Sequence, residues 1–237
     1  MTGDVDTPFW WSESTGDVHV AFTSAEAGNL GTHVGDPKDA EANRERLART
    51  IGRPPRFLNQ VHSAEVLDAD AEAAADAPTG DAWVSTQGAP LGILVADCLP
   101  VLFAAAGEHG RPITAAAHAG RPGLLASVLE NTVAAMRRRG AHRLTAWIGP
   151  GACGSCYEIP EEMVEAIAAD RPAIRSRTSW GTAALDLRAE ARRVLEAAGA
   201  AVIDVPGCTM EDPQLFSHRK SQQTLTPEGR MAGVVWC

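Results

Sequence analysis

The sequence predicts an α+β fold: mixed sheets packed face to face with helices on the outside, in α/β/β/α layers, as a single domain over residues 1–237. Three observations carry this expectation. Strand-like runs crowd between residues 82 and 118 with no helix between them, which a strictly alternating parallel fold does not allow. Helical periodicity is confined to four segments on either side of that block. The apolar runs at 92–97 and 113–117 are consistent with buried central strands, covered on both faces. No long linker, low-complexity tract or internal repeat divides the chain.

In order along the chain, VHVAFT (18–23) is the first strand. Asp36 and Pro37 form an N-cap and first-turn pair opening a polar helix to about Arg49. RFLNQV (56–61), AWVST (82–86), GILVAD (92–97), PVLFAA (100–105) and ITAAAH (113–118) follow as strands. Pro122 opens the strongest helix. Leu125, Val128, Leu129, Thr132, Val133 and Met136 recur at three- and four-residue spacing, and Gly140 stops it. LTAWIG (144–149) is a strand, and a helix over 160–169 carries Met163, Val164 and Ile167 on one side. Asp186 caps a helix containing Leu187, Ala191, Val194, Leu195 and Ala198, ended by Gly199. AVIDV (201–205) and MAGVVW (231–236) complete the strands.

The bulk properties exclude several partners. A net charge of −9 opposes general binding to a nucleic-acid backbone. The one dense basic cluster, Arg137-Arg138-Arg139, closes a predicted helix, where cations interact favourably with the C-terminus. No stretch approaches the ~20 apolar residues that span a bilayer. The opening MTGDVDTPFWW has two acids and no basic region, so it does not read as a secretory signal. Five cysteines, an odd count without an export signal, are expected to be reduced thiols in a cytoplasm. The expected assembly is a monomer or small homo-oligomer.

His62, Cys98 and His118 stand out. The last two end apolar or small-residue runs and are followed by Pro or Gly; His62 sits in LNQVHSAEV. Two imidazoles and a thiolate are three of the four ligands zinc takes, leaving one position for water or substrate. Separations of 36 and 20 residues form no local motif, and buried Cys and His also serve ordinary packing. Cys153 and Cys156 form a lone C-x-x-C in the Gly-rich GPGACGSCYEIP. A structural zinc site would need a second pair, and none stands at a usable spacing; a redox pair would open a helix. Cys237 reads as an incidental thiol.

The segments AGNLGTHVGD, NQVHSAEV, GDAWVST, LVADCLPVLF, AAAHAG, IGPGACGSCYEI, LDLRAEARRVLEAAGA, CTMEDPQLFSHRK and GRMAGVVW occur in one order from residue 27 to 236. In them the chain resembles the laccase-like multicopper polyphenol oxidase family. Its members are also described as zinc-dependent purine nucleoside phosphorylases with adenosine deaminase activity, or as a peptidoglycan editing factor. The resemblance implies two sheets packed together with helices outside. It implies a metal, Zn2+ or alternatively Cu2+, on His62, Cys98 and His118. It implies phosphorolysis of adenosine, inosine and methylthioadenosine, and hydrolytic deamination of adenosine, with purine nucleosides and phosphate as partners.

Three departures bear on substrate contacts. Residues 121–123 are Arg-Pro-Gly where the family continues Trp-Arg-Gly; the loop before NLG is shortened to TSAEAG (23–28); and Ser155 stands where the first of two cysteines is common.

Zinc on two imidazoles and a thiolate lowers the pKa of bound water toward about 7. Deamination also needs an acid/base, for which Asp97 and Glu65 are the local candidates. Asp97 would point away from Cys98 on an alternating strand, so a supporting role competes with catalysis. Phosphorolysis needs anion contacts. Backbone donors after Pro122 and the arginines Arg44, Arg121, Arg219 and Arg230 are candidates, with surface ion pairing the competing role for each arginine. Gln60 in NQVH and His218 are further substrate candidates. Asp81 is either a ribose or metal-supporting contact or a turn residue, and His33 either a ligand or a loop histidine. His19, His109 and His142 have no supporting pattern. Other classes remain in view: a copper-dependent phenol oxidase, a hydrolase editing cell-wall precursors with Cys98 as nucleophile, and a non-catalytic binding protein.

Overall fold

The computed structural model describes residues 8–71 and 77–237; the first seven residues of the acidic opening segment lie outside them. Along the chain the elements are β1 (Phe9–Thr15), β2 (Val18–Thr23), α1 (Pro37–Ile51), β3 (Val66–Asp68), β4 (Ala82–Ser85), β5 (Leu91–Val95), β6 (Leu99–Ala106) and β7 (Pro112–Ala119). Then come α2 (Arg121–Leu125), α3 (Val128–Arg138), β8 (His142–Ile148), α4 (Glu161–Ala168), β9 (Arg175–Arg177), β10 (Ala183–Leu185), α5 (Leu187–Ala197), β11 (Ala201–Asp204), α6 (His218–Gln223) and β12 (Met231–Trp236).

Two sheets carry the architecture. One is antiparallel, in the order β1-β2-β12-β5; the other is mixed, in the order β11-β8-β6-β7-β4-β3, with β11 and β3 its parallel edge strands. Residue parity assigns each face. Val18, Val20 and Phe22 of β2, Leu91, Ile93 and Val95 of β5, and Met231 and Val235 of β12 meet Trp83, Leu102, Ala116 and Trp147 of the mixed sheet, forming the layer between sheets. The intervening residues Ala21, Leu94, Ala232 and Val234 turn outward onto Leu30 and onto Leu47 and Ile51 of α1. On the far side, Val84, Val101, Phe103, Ala115 and Ala117 pack against Leu129, Val133, Leu187 and Leu195 of α3 and α5. The α/β/β/α layering is the predicted one, and β5 and β7 are covered on both faces.

Four local differences have physical reasons. Residues 56–61 make only isolated bridges, Arg56 to Leu91 and Asn59 to Thr79. The Gln60 amide takes the backbone of Leu94 in place of a ladder, donating to its carbonyl and accepting from its N–H, both at 2.8 Å. The helix from Pro122 is two helices, because Ser127 takes a left-handed conformation (φ 72°) between α2 and α3. Strands β3, β9 and β10 are three residues each, too short to show a period. Helix α6 has no buried residue and so no apolar stripe to read.

The arginine cluster acts at a helix end: Arg139 donates to the Ala135 carbonyl of its own last turn at 3.1 Å and pairs with Asp68 at 2.8 Å. Among the described residues no helix is long and apolar enough to cross a membrane.

Candidate metal centre

Cys98 precedes β6, His118 sits one residue from the end of β7, and Asp81 precedes β4. The register sets Pro100 opposite His118 and Ala82 opposite Ala117, so all three lie at one end of the mixed sheet. Parity also aims them one way. Asp81 is in step with Trp83, Cys98 with Leu102, and His118 with Ala116, all facing the layer between sheets. His62 arrives from the loop after Asn59, in a positive-φ conformation (60°).

The ligand atoms of His62, Cys98 and His118 all lie within 4.8 Å of one another. His62 Nε2 stands 3.6 Å from Cys98 Sγ, and the two rings meet edge to face with centroids 4.7 Å apart. His118 is buried, Cys98 half-buried and His62 exposed, so the cluster opens outward on the His62 side.

Asp81 organises this cluster. Its fully buried carboxylate accepts from the backbone N–H groups of Val61 (3.2 Å), His62 (3.0 Å) and Ser63 (2.6 Å), and from the Ser63 hydroxyl (2.7 Å). Its Oδ1 lies 2.7 Å from His118 Nδ1. Burial alone would raise its pKa, but the bonds from His118 and Ser63 carry it down to about 2. A carboxylate only accepts, so Nδ1 of His118 keeps a proton toward Asp81, and Nε2 is the ring nitrogen a metal would take by displacing its proton. Asp81 thus ties the turn that carries His62 to the ring of His118.

The donor set fits a borderline-soft divalent ion. Against the burial that would raise it, the two imidazoles bring the Cys98 thiol down to about 6. The Cys98 thiolate and Asp81 raise His118 to about 9 despite its burial. Space is kept beside the sulfur: a Cβ on Gly120 would stand 2.9 Å from Cys98 Sγ and 2.5 Å from the His62 ring. Among the described residues no fourth His, Cys, Asp or Glu joins the group.

The other expected site residues separate into two neighbourhoods. Arg121 and Arg219 flank Tyr157, which also feels the charges of Cys98 and Asp97; burial, first, and those anions hold its hydroxyl above its ordinary pKa. Arg219 lies over the Tyr157 ring at 5.5 Å and donates to the Glu158 carbonyl, while Arg121 Nη1 is 2.7 Å from Met163 Sδ. Asp97 turns away from the sulfur, at φ 90°, accepting from Thr209 Oγ1 (2.6 Å) and from the Arg219 N–H that begins α6 (2.7 Å). It is an anchor for α6. Glu65 is exposed, its carbonyl accepting from the N–H groups of Asp81 and Ala82.

The second neighbourhood is His33, Arg44, His218, Glu228 and Arg230. Glu228 Oε1 is 2.7 Å from His218 Nδ1 and 3.1 Å from both terminal nitrogens of Arg230. Burial lowers the pKa of His33, and Arg230 and Arg44 lower it further. Arg44 donates to the Leu30 carbonyl and covers the Phe57 ring. Gln60 has both amide atoms engaged with Leu94. The backbone-anion idea at Pro122 meets a helix, α2, of only five residues.

Sequence reasoning did not single out Tyr157, Ser63 or Gly120. Tyr157 is the only tyrosine in the chain, next to a C-x-x-C that drew attention to its sulfurs. Elsewhere, His19 stacks on Trp236 and His142 is exposed. A shallow pocket lined by Thr15, Asp17, Ala106, Arg143 and Trp147 lies at the opposite end of β6 from Cys98 and holds no part of this cluster.

A family model described as multi-copper polyphenol oxidoreductase laccase matches residues 13–237. A Streptomyces griseus protein named as a purine nucleoside phosphorylase is 44% identical over 94% of this chain and 95% of its own length. One of that name from Corynebacterium glutamicum is 42% identical over 88% and 86%. The crystal structure of a Neisseria meningitidis protein superposes with a TM-score of 0.83 at 32% identity, covering 97% of this chain and 99% of the other.

Proposed function

The chain belongs to the multi-copper polyphenol oxidoreductase laccase family, and from that membership we propose a zinc-dependent enzyme of purine nucleosides. It would carry out phosphorolysis of adenosine, inosine and methylthioadenosine, together with hydrolytic deamination of adenosine. The observation that carries the reading is the three-donor cluster with an open side, His62, Cys98 and His118, in a chain whose similar proteins bear the name purine nucleoside phosphorylase.

His62, Cys98 and His118 would hold the ion, Zn2+ in preference to Cu2+, and a zinc ion there supplies Lewis acidity to a polar substrate atom. Asp81 is a positioning residue, fixing the His118 tautomer and the backbone turn that delivers His62. Phosphorolysis breaks the bond between the sugar C1′ and the base nitrogen and forms one from C1′ to a phosphate oxygen; the base leaves with a proton. Arg121 and Arg219 are the guanidinium groups beside the Tyr157 ring and suit a phosphate dianion. Arg230 and His218, joined through Glu228, and Arg44 with His33 form the second basic group and would orient the nucleoside. The ring of Tyr157 offers a flat apolar face, and Val61, exposed beside His62, adds apolar contact.

The assay follows adenine, inosine and ribose 1-phosphate by chromatography after zinc-loaded protein meets adenosine and phosphate. Formation of these products, and its loss in His118→Ala, is the expected result. Turnover no greater than that variant's would end the reading.

The close Cys98–His62 pair and the lowered Cys98 thiol favour one second reading, a cysteine hydrolase editing cell-wall precursors. There a chelator would leave activity intact. A multi-copper oxidase of phenols would need further histidine clusters, and among the described residues the other donor cluster has none.

A further inference from the structure

A second set of donors converges away from the triad. The sulfurs of Cys153, Cys156 and Cys208 and a carboxylate oxygen of Glu211 lie within 4.8 Å of one another. They come from two turns of equal length. Cys153-Gly154-Ser155-Cys156 closes with the Cys156 N–H donating to the Cys153 carbonyl at 3.0 Å. Cys208-Thr209-Met210-Glu211 closes with the Glu211 N–H donating to the Cys208 carbonyl at 3.1 Å. Each turn therefore offers a ligand at its first and fourth positions.

Cys153 Sγ lies 3.1 Å from the Ser155 hydroxyl and 3.9 Å from a carboxylate oxygen of Glu211. The Cys153 N–H points at Cys208 Sγ as well, at 3.4 Å. The two turns are tied together by the Thr209 N–H donating to the Gly151 carbonyl at 3.1 Å. Beneath them Arg188 donates to the carbonyls of Ile148, Gly149 and Val205 at 3.1, 2.8 and 3.2 Å, a fixed cation beside an anionic cluster. The expectation that Cys153 and Cys156 have no second pair is thus corrected. The pair exists, 52 residues beyond Cys156 at its nearer member (208 minus 156), with a glutamate in place of the fourth cysteine.

We propose that Cys153, Cys156, Cys208 and Glu211 bind a second, structural divalent cation of borderline-soft character, Zn2+ by choice of ligands. Four protein donors close the coordination, so the site takes no substrate. On loading, the three thiols release three protons and three Zn–S bonds form with one Zn–O bond to the carboxylate; no electron moves. The ion would join the Gly-rich loop carrying Tyr157 to the segment running into α6 and Arg219, fixing one wall of the proposed active site from behind. The proposal is independent of the purine nucleoside reading, because it concerns metal content and not turnover.

The test uses full-length protein purified under reducing conditions without chelators, in a Cys98→Ser background that empties the first site. Metal analysis is expected to find one zinc per chain there and none after adding Cys208→Ser. Cobalt exchanged into the Cys98→Ser protein should show sulfur-to-metal charge-transfer absorption. Glu211→Gln, the gentler change, should weaken zinc in a chelator competition by more than about tenfold, the least seen for losing even a supporting hydrogen bond. It decides the matter if Cys208→Ser fails to fold. Folded Cys98→Ser protein without metal, with all three thiols freely reactive, would overturn the proposal. So would a disulfide between any two of them, or unchanged zinc affinity in Glu211→Gln.

Discussion

Gly120 is where single atoms decide the chemistry. Its φ of −70° is ordinary for any residue, so the glycine is required by space and not by conformation. Alanine there would press on the His62 ring and the Cys98 sulfur while leaving the backbone unstrained. Because His62 is exposed on a loop, it can swing aside, and the fold should lose less than about 1 kcal/mol. The expected result for Gly120→Ala is a melting temperature near that of the Cys98→Ser protein, whose first site is likewise empty, with the first metal equivalent lost. Metal analysis beside a thermal melt reads both; normal metal content would mean that the open side lies elsewhere. The cluster of His62, Cys98 and His118 was legible in the sequence, because Cys98 and His118 end runs typical of buried strands and the family resemblance added His62. Asp81 was legible as a polar residue of interest, but its bond to His118 was not. That contact depends on β4 and β7 pairing in one register, which no local pattern encodes. Tyr157 and Glu211 were hidden for a similar reason: each acts through a partner more than 50 residues away.

At the level of elements, α5 shows how a helix is held down by charge as well as by its apolar stripe. Leu187, Ala191, Val194 and Leu195 face the core, as their spacing predicts, yet Glu190 is fully buried among them. Arg171 and Arg193 each donate to it at 2.7 Å. Burial alone would raise its pKa; the two guanidinium groups outweigh that and hold it below the ordinary glutamate value. A carboxyl with a folded pKa below its unfolded one adds stability that is present above the unfolded value, about 4.3. That stability is lost as pH falls through the lower, folded value. Glu190→Gln should therefore destabilise the protein at pH 7 by about 3 kcal/mol, since it leaves Arg171 partly buried with only the longer approach to Glu130, 3.9 Å. The gap to the parent should shrink below about pH 4 as the parent's own carboxyl protonates. Urea melts at the two pH values measure it, and a gap independent of pH would refute the assignment. The same scale shows what periodicity missed. A stripe from Leu125 to Met136 fits one helix, but Leu124 and Val128 must both reach β7 and its neighbours, and the chain does so by breaking at Ser127.

Across the whole molecule, the two sheets are interlocked and not merely stacked. Strand β12 belongs to the antiparallel sheet yet lies against β6 and β7 of the other. Phe22 of β2 reaches across so closely that a Cβ on Gly149 would stand 2.3 Å from its ring, and one on Gly233 would be 3.1 Å away. Two glycines from opposite sheets thus form the socket for one aromatic ring. This is the close approach for which glycine in or beside a strand is kept. The layering was legible because strands covered on both sides are mostly apolar on both faces; the socket was not, since it joins residues 22, 149 and 233. Phe22→Ala removes the filling of the shared layer, and the neighbouring backbones cannot collapse onto it without moving both sheets. The loss should be about 3–5 kcal/mol. Because the layer is common to both sheets, that loss should lower a single cooperative unfolding transition, followed equally by tryptophan fluorescence and by far-ultraviolet circular dichroism. Two separated transitions, with only one moved by the substitution, would mean that the sheets are independent units and that the ligand-bearing end of the mixed sheet does not need the antiparallel sheet to keep its shape.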